Sequence, residues 1–442
     1  MTESPEDALA ALEKSMEPSN DNDTLWSRGT TSELECGQVE YIRRTHNAVE
    51  MAHEYAKSHT KEEVVLPECF KRHAALFSDE DAKKFPLSRP HDHKIELMDK
   101  APAQFNCKMY PMSAKEQAAK DKFLDENLEK GYIMPSDSPY GFSTFQVPKK
   151  DSDKMRYIID YRPLNVVTKR DVTPLPNLAQ CIEDLQGMEL FSKFDIWWGY
   201  NNIRIREEDQ WKGAFKTHRG LYEPRVMFFG MSNSPAAFQH VMNHILEPWY
   251  KKYGRKKGKN YMDDIGIGTL LSKIDLHIDM VDNLFDILAE HGLHLKLSKS
   301  VFRQPQMDFL GVQINREGVS IDPAKIASIA DWPEELTTVK QVHTVLRVCG
   351  YHRMHIARFS FIAAPLTRLT GKDVPFVCND ECRQAVRNLK KAVTTAPVLI
   401  RPDTSKQFEL EVDASAIATG AILYQRDPPV TLPSGKEKPG PH

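Results

Sequence analysis

The stretch NYMDDIGIG, residues 260–268, places two aspartates side by side in a run that is otherwise mostly apolar or glycine. Tyr261, Met262, Ile265 and Ile267 predict a buried strand at this place. Charge is costly to bury unless it is paired or bound to a metal ion. An adjacent carboxylate pair is more commonly a solvated turn or a helix N-cap, but the apolar neighbours weaken that interpretation. The pair therefore indicates either a solvated turn or a metal-binding position.

A third aspartate ends the stretch LFSKFD in residues 190–195, which predicts another strand. Side chains alternate between the two faces of a strand, so Asp195 lies on the same side as the cationic Lys193. Asp263 and Asp264 would point to opposite sides of an extended chain, but a tight hairpin turn would bring both carboxylates to one ion cluster. Three aspartates on a sheet surface favour two Mg²⁺ ions, which prefer oxygen ligands and, about 4 Å apart, clamp the oxygens of a phosphoryl transfer.

Helix signals and strand signals alternate along most of the chain, which predicts an α+β fold. Ser113 and Glu116 have the spacing of a capping box, and Ser234 with Pro235 has the pattern of an N-cap followed by a first helical residue. Helices are predicted over residues 113–131, 234–246, 275–291 and 337–350. Strands are predicted within GFSTFQVPKK, KMRYIIDY, ELFSKFDIWWGY, YMDDIGIG and MDFLGVQIN.

Composition narrows the class of protein. The chain has 442 residues, 40% of them hydrophobic, which is enough for two to four domains. Its net charge of −3 excludes a globally basic nucleic-acid coat and leaves room for a local basic patch. The seven cysteines are scattered, and Cys378 and Cys382 have no second pair to complete a zinc site. With no apolar run near 18 residues and an acidic, polar N-terminus, we expect a soluble intracellular protein without a membrane partner.

At this point the residues resemble a known family. The YMDD box, together with the upstream strand that carries Asp195, resembles the palm of a reverse transcriptase. The order and spacing of further blocks resemble the pol polyprotein of gypsy-class LTR retrotransposons over roughly residues 65–425. These blocks are DYRPLNVVTKRDVTPLPNL, FSKFDIWWGYNNIRI, MFFGMSNSPAAFQHVMNHIL, FLGVQINREGVSIDPAKIASIADWP and FIAAPLTRLTGKDVPF.

The resemblance implies a role for each of several residues. Asp195, Asp263 and Asp264 match the three metal-binding carboxylates of the family. Tyr200 matches an aromatic steric gate that would exclude a 2′-hydroxyl, although plain core packing explains a tyrosine here as well. The nucleotide-binding positions implied are Lys149, Lys150, Arg156, Phe229 and Gly230, and the primer-grip hairpin implied is Phe309, Leu310 and Gly311.

Some of these signals also fit bland interpretations. Taken alone, the two lysines and the arginine of QVPKKDSDKMRYIID fit a solvated hairpin better than a phosphate site. The basic run KKYGRKKGK, residues 251–259, departs from the apolar strand that the family has before YMDD. Either the hairpin strand is shifted there or an insertion loops out. The run itself fits nucleic-acid contact and a solvated loop equally well.

The C-terminal part resembles the opening hairpin of an RNase H domain. Asp413, within KQFELEVDASAIATGAILYQ, matches the first catalytic carboxylate of that nuclease. After Gln425 the acidic residues are Asp427 and Glu437, in a segment rich in proline and glycine. We therefore expect a truncated, inactive nuclease fold. Protease, zinc-knuckle and integrase signatures are not found in the sequence.

The architecture implied is a right-hand polymerase of fingers, palm and thumb, followed by a connection segment and an incomplete RNase H-like stub. The expected divisions are a mostly disordered lead-in over 1–62, fingers and palm over 63–318, a thumb over 319–370, a connection over 371–405 and the truncated RNase H-like start over 406–442.

The activity implied is RNA-directed DNA polymerisation. A primer 3′-hydroxyl on an RNA or DNA template would attack a dNTP held with two Mg²⁺ ions, for which Mn²⁺ is a substitute. The expected partners are RNA and DNA primer–template and dNTPs, with a dimer or polyprotein neighbours compatible with the sequence. The expected location is a cytoplasmic particle or the nucleus. Two alternatives stay open: a decayed retrotransposon fragment that binds nucleic acid without polymerising, and a hydrolase built on Asp413.

Overall fold

The computed structural model describes residues 64–148, 155–372, 374–396, 407–414, 419–425, 430–431 and 437–438. Backbone contacts divide the chain into two compact units, His59–Asp322 and Pro323–His442 together with Met1–Ser58. The lead-in predicted over residues 1–62 lies outside the described residues. Helices and mainly antiparallel sheets occur together, which confirms the α+β class.

The helices alternate with strands in the first unit and dominate the described part of the second. The α-helices are α1 Ala114–Glu129, α2 Arg162–Val167, α3 Leu178–Leu185, α4 Ser234–Tyr253, α5 Ile274–Glu290, α6 Pro323–Ala330, α7 Val339–Tyr351, α8 Phe359–Arg368 and α9 Asp380–Thr394. The 3₁₀ helices are Glu68–Phe77, Asp81–Lys83, Gly199–Asn202, Glu207–Gly213, Leu271–Lys273, Leu297–Lys299 and Arg353–His355. No described helix is long and apolar enough to cross a membrane.

The strands are mostly short. In the first unit they are β1 Phe105–Asn106, β2 Ile133–Pro135, β3 Tyr140–Gly141, β4 Thr144–Pro148, β5 Met155–Ile159, β6 Leu190–Asp195, β7 Phe215–Thr217, β8 Gly220–Pro224, β9 Gly258–Tyr261, β10 Asp264–Thr269, β11 Val301–Gln304, β12 Gln306–Phe309, β13 Val312–Asn315 and β14 Val319–Ile321. In the second they are β15 Glu409–Ala414, β16 Thr419–Tyr424, β17 Val430–Thr431 and β18 Glu437–Lys438.

A four-stranded antiparallel sheet, in the order β11-β6-β10-β9, forms the centre of the first unit. Strand β6 is buried on both faces, because Phe191 and Phe194 belong to different apolar clusters. Helix α5 packs on this sheet through an apolar stripe at helical spacing. The fully buried residues of that stripe are Met280, Val281, Leu284, Phe285 and Leu288. Residues 264–304 therefore form a strand–helix–strand unit, and its last strand, β11, lies ahead of the stretch MDFLGVQIN that was predicted to follow the helix.

Helix α4 fixes the outer strand of the sheet. A Cβ added at Gly258 would lie 2.3 Å from Cη2 of Trp249, so β9 reaches the helix closely only because this residue is glycine. The indole of Trp249 also donates a hydrogen bond to the carbonyl of Met280 at 2.9 Å. The helix begins one residue earlier than predicted: Asn233 is its N-cap, and neither Asn233 nor Ser234 caps it through a side chain.

The stretch MDFLGVQIN forms two strands, not the single strand expected from its apolar pattern. Strands β12 and β13 pair across a turn at Leu310 and Gly311, which have φ values of 51° and 79°. Positive φ at both central residues is typical of the tight turns that match the twist of a hairpin. Strand β14 adds to β13 as the third strand of this sheet.

Helix α1 begins as its capping box predicts. The hydroxyl of Ser113 accepts from the amide of Glu116 at 3.3 Å, and the Glu116 carboxylate accepts from the amide of Ser113 at 2.7 Å. In the second unit, α7 covers most of the predicted helix over 337–350, and β15 pairs with β16 as an antiparallel hairpin. Asp413 pairs with Gly420 in that hairpin.

Candidate active site

The β9–β10 hairpin brings the three aspartates to one end of the central sheet. Tyr261 pairs with Asp264, which leaves Met262 and Asp263 as the two turn residues. Asp264 also lies directly opposite Asp195 of the neighbouring strand β6. The carbonyl of Asp263 accepts a hydrogen bond from the amide of Ile196 at 2.9 Å. The turn is therefore tied to the end of the strand that carries the third carboxylate.

Two other segments contact this turn, one through the side chain of Gln239 and one through the backbone at Gly199. Met262 has a φ of 50°, a backbone conformation that costs a non-glycine residue about 1–2 kcal/mol. Its amide donates to Oε1 of the fully buried Gln239 on α4 at 2.8 Å. On the other side, a Cβ added at Gly199 would lie 3.3 Å from Cβ of Asp263. The role of Gln239 was not predicted from the sequence, because an isolated glutamine in a helix gives no local signal of a functional contact.

Lysines pair with two of the three carboxylates. Lys299 contacts Asp195 at 2.9 Å and Lys193 contacts Asp264 at 3.3 Å. Asp263 as a whole is exposed at the turn, but burial of its carboxylate raises its pKa to about 6. The charges of Asp264 and Asp195 act in the same direction. Three carboxylates facing two ammonium groups form an anionic centre of oxygen ligands, which is the donor set that Mg²⁺ prefers.

A different acidic group lies on the first 3₁₀ helix and α5. Among the described residues, His73, Asp282 and Asp286 are the set whose potential ligand atoms all lie within 4.8 Å of one another. Arg72 already contacts both carboxylates, with a distance of 2.8 Å to Asp286. His73 bonds to Asp282 at 2.8 Å. We interpret this group as an ion-pair network that joins the two helices.

An aromatic pocket borders the carboxylates. The ring of Tyr200 lies edge-on to Phe229 and Phe238, with centroid distances of 5.1 and 5.9 Å. Burial and the nearby charge of Asp263 raise the pKa of Tyr200 to about 12, so its hydroxyl stays protonated. The hydroxyl lies 3.5 Å from the sulfur of Met262. Phe229 is 59% exposed, so one wall of this pocket faces solvent.

Gly230 closes the same pocket with a backbone that only glycine accepts easily. Its φ is 107°, and an added Cβ would lie 3.1 Å from the carbonyl oxygen of Ile159. The carbonyl of Gly230 accepts a hydrogen bond from the Asn165 amide at 2.8 Å. Helix α2, which carries Asn165, therefore positions the segment between Phe229 and α4.

The residues predicted to contact the triphosphate lie mostly outside the described residues. Lys149 and Lys150 lie outside the described residues. The backbone of Arg156 belongs to β5 and pairs with Val147 of β4, while its side chain lies outside the described part. The side chain of Asp413 lies outside it as well.

The predicted primer-grip residues have different environments. Phe309 is fully buried, and its ring lies close to Gly266, where an added Cβ would be 3.2 Å from Cε2. Leu310 and Gly311 form the turn of the hairpin. Only the turn is therefore placed to meet a ligand, while Phe309 joins this hairpin to strand β10.

The basic run over residues 251–259 precedes a hairpin whose turn falls at Met262 and Asp263. It contains the end of α4, a short turn and the start of β9. Several of its charges have protein partners: Lys252 contacts Asp279 at 3.4 Å, and Lys259 contacts Asp184 at 2.6 Å. Residues 251–259 therefore form a helix–turn–strand connection that leads into the hairpin with the two aspartates.

Comparisons with known proteins agree with this geometry. A sequence profile described as reverse transcriptase (RNA-dependent DNA polymerase) matches residues 147–314. A second profile, the RNase H-like domain found in reverse transcriptase, matches residues 378–438. The first match contains all three aspartates of the hairpin end, and the second contains the β15–β16 hairpin.

Several curated relatives and solved structures are similar to the chain. The retrovirus-related Pol polyprotein from transposon 297 of Drosophila melanogaster is 31% identical over 93% of this chain and 40% of its own length. The transposon Tf2-3 polyprotein of Schizosaccharomyces pombe is 30% identical over 84% and 27%. The chain thus spans less than half of these relatives.

Among solved structures, the foamy viral protease-reverse transcriptase in complex with double-stranded DNA has a TM-score of 0.69. It is 20% identical over 92% of this chain and 69% of that chain. The same protein in complex with an RNA/DNA hybrid has a TM-score of 0.67 at 20% identity, over 92% of this chain and 53% of that chain. These likenesses show the right-hand polymerase fold. The chain belongs to the reverse transcriptase family, with the RNase H-like region found in the Pol polyproteins of LTR retrotransposons.

Proposed function

We propose that the chain is an RNA-directed DNA polymerase of the gypsy class, which transfers a nucleotide from a dNTP to a primer 3′-hydroxyl on an RNA or DNA template. The observation that carries this proposal is the register of the central sheet, in which Asp264 lies opposite Asp195 with Asp263 at the adjoining turn. Phosphoryl transfer asks little acid–base chemistry of a protein and depends on positioning and charge neutralisation.

The three aspartates would hold two Mg²⁺ ions, or Mn²⁺ as a substitute. When bound, such ions supply charge neutralisation and alignment of the attacking and leaving oxygens. The chain itself positions the three carboxylates. Backbone pairing of β6 with β10 fixes two of them, and Gln239 fixes the turn that carries the third. Lys299 and Lys193 would give up their contacts with Asp195 and Asp264 when the ions bind.

Tyr200 is proposed to select deoxynucleotides. Its ring is held between Phe229 and Phe238 beside Asp263, so it has little freedom to move aside for a 2′-hydroxyl. Lys149, Lys150 and Arg156 are proposed to bind the triphosphate, since Arg and Lys neutralise phosphate oxygens.

The proposed partners are RNA and DNA primer–template and dNTPs. Support comes from the structural neighbours, whose own complexes contain double-stranded DNA and an RNA/DNA hybrid. We propose residues 63–318 as fingers and palm, residues 319–370 as the thumb, residues 371–405 as the connection and residues 406–442 as the RNase H-like start. The proposed place of action is a cytoplasmic particle or the nucleus. A decayed polymerase that binds nucleic acid without extending a primer is the competing function, and the helix–turn–strand connection over residues 251–259 favours the active polymerase over it.

Primer extension on an RNA template, with Mg²⁺ or Mn²⁺ and all four dNTPs, tests the proposal. We expect extension by the parent chain and a loss of about a thousandfold or more in Asp263→Asn, because a metal-binding carboxylate is removed. Asp99→Asn, at an exposed aspartate outside the site, is the matched control and should keep full extension. A folded parent chain that binds primer–template and extends nothing would establish the decayed polymerase instead.

A further inference from the structure

Three imidazoles meet on the solvent-facing side of α4, away from the carboxylates. His240 and His244 are one helical turn apart on α4, and His91 comes from the loop before β1. The ring of His91 lies 4.7 Å from that of His240 and 4.6 Å from that of His244, measured between centroids. His240 and His244 are exposed and His91 is half-buried, so the group is open to solvent.

The spacing of two nitrogens in this group fits a shared metal ion. Nε2 of His240 lies 3.3 Å from Nδ1 of His91. Zn²⁺ binds imidazole nitrogen at about 2.0–2.1 Å with tetrahedral geometry, which separates two ligand nitrogens by roughly 3.3 Å. The same contact is a hydrogen bond between the two rings, so one ring already presents a lone pair to the other. Two histidines one turn apart on a helix are a common source of two ligands on one face.

The surroundings leave these rings available as ligands. Burial, the two neighbouring imidazoles and the charge of Arg206 lower the pKa of His91, so it is neutral at ordinary pH, the form that binds a metal. His244 lies between His91 and His291, the residue that caps α5. The charge of Arg206 acts on His91, and it weakens but does not block the binding of an ion held by neutral ligands.

We propose that His91, His240 and His244 form a binding site for a borderline transition-metal ion, Zn²⁺ in the first place. Three imidazoles select Zn²⁺, Ni²⁺ or Cu²⁺ over Mg²⁺, so the site is chemically distinct from the aspartates. The nitrogens do not yet converge on one point, so His244 turns its ring on binding. When the ion binds, the proton between His240 and His91 moves to the far nitrogen of the ring that carries it, so both facing nitrogens offer lone pairs, and a water completes the tetrahedron.

The ion would tie the loop that carries His91 to the outer face of α4. The opposite, buried face of that helix carries Gln239, which holds the turn of the catalytic hairpin. Zinc would therefore brace the helix on which the hairpin rests, without any ligand in common with the polymerase site. Zinc binding at this site is independent of the proposed polymerase activity.

The test is a zinc titration of the full chain, prepared without a polyhistidine tag, in an Asp263→Asn background and in excess Mg²⁺. Competition with a chelating indicator should find one tight equivalent of Zn²⁺. His91→Gln, His240→Gln and His244→Gln should each weaken binding by about tenfold or more, as expected when a ligand is lost. His343→Gln, at an exposed histidine on α7, is the matched control and should bind as the parent does.

A second measurement separates loss of the site from loss of the fold. Zn²⁺ should raise the melting temperature of the parent and of the His343→Gln variant, and should leave that of the three ligand variants unchanged. Co²⁺ in place of Zn²⁺ should give the visible absorption of a tetrahedral site in the parent and in the His343→Gln variant, and in none of the three ligand variants. Equal zinc affinity in the parent and in all variants, or no tight equivalent in a folded parent, would overturn the proposal.

Discussion

Two hairpins of the first unit have the same local design and opposite uses. Each reverses over two residues, Met262 and Asp263 in the β9–β10 hairpin and Leu310 and Gly311 in the β12–β13 hairpin. Each also places a non-glycine residue at positive φ, 50° at Met262 and 51° at Leu310. The first presents carboxylates at its turn, whereas the second buries its strands in an apolar cluster.

The difference lies in what holds each turn. Polar contacts from distant elements hold the first, chiefly the amide of Met262 bonded to Gln239. Apolar burial holds the second, through the fully buried Phe309 and the 1% exposed Met307. Strain at a functional turn persists only where its surroundings fix it. The first hairpin is therefore built to present charge, and the second hairpin anchors the first through contacts at Gly266.

The largest expected effect separates the two hairpins by stability. Phe309→Ala should lower the free energy of unfolding by about 3–5 kcal/mol, because it removes a fully buried ring and leaves a cavity. Asp263→Asn should leave it unchanged or raise it, because the raised pKa of Asp263 means that its ionised form destabilises the fold at neutral pH. Equilibrium urea unfolding followed by circular dichroism measures both. Similar losses in the two variants would contradict the division of roles.

A pH dependence sharpens the polar half of the comparison. His277 on α5 is fully buried and contacts Ser192 Oγ at 2.8 Å and Thr269 Oγ1 at 2.9 Å, so it joins β6 to β10 beneath the first hairpin. Burial, assisted by the charge of Arg303, lowers its pKa from 6.5 to about 4. The folded state therefore keeps this imidazole neutral, and the unfolded state takes up the proton first as the pH falls.

The stability that depends on His277 is complete above pH 6.5 and is lost as the pH falls towards 4, by roughly 2–3 kcal/mol. Urea midpoints between pH 4 and 8 should fall more steeply at low pH for the parent than for His277→Gln. The difference between the two curves isolates this histidine from the others. Parallel curves would mean that the imidazole does not titrate in this way.

A smaller effect is expected at the turn itself. Gln239→Leu removes the acceptor for the Met262 amide, which should cost about 1–2 kcal/mol of stability. Primer extension should fall by about tenfold, because the carboxylate at the turn loses its fixed position. Asn243→Ala is the control, since Asn243 only orients the Gln239 amide, at 2.9 Å, and its loss should have a weaker effect on both readouts. A stable Gln239→Leu variant with full extension would show that the turn holds itself.

The parts of the fold that the sequence could predict are those with local signals. The capping box at Ser113, the apolar stripe of α5 and the alternation around the two aspartates each lie within a few neighbouring residues. The carboxylates were identifiable for the same reason, since two charges in an apolar run stand out. The basic run over 251–259 misled, because composition alone does not show where a helix ends and a strand begins.

The remaining features depend on contacts between distant segments. Lys299 and Asp195 are far apart in the chain, and nothing in the residues around Lys299 indicates its partner. The same holds for Gln239 beneath the turn and for His277 between two strands. Such partners are set by the packing of helices on the sheet, which local propensity and periodicity do not determine.

The smallest expected effect concerns the lysine that pairs with the first carboxylate. Lys299 is 57% exposed and contacts Asp195 at 2.9 Å, and exposed pairs of this kind contribute about 0–1 kcal/mol to stability. Lys299→Gln should therefore leave unfolding nearly unchanged. It should lower the Mg²⁺ concentration at half-maximal extension by about two- to fivefold, because the ion no longer competes with an ammonium group for the carboxylate.

Lys296→Gln is the matched control, since that ammonium lies 5.4 Å from the ring centroid of Trp197 and should not change the Mg²⁺ requirement. High salt should narrow the difference between the parent and Lys299→Gln, because screening weakens an exposed pair. A higher Mg²⁺ requirement in Lys299→Gln would contradict this interpretation. The lysine would then help the carboxylates to bind the ion instead of competing with it. In that case the lysines and aspartates at the first hairpin would together be arranged to receive a charged substrate. The first hairpin would then differ from the apolar second hairpin by more than its ion pairs alone indicate.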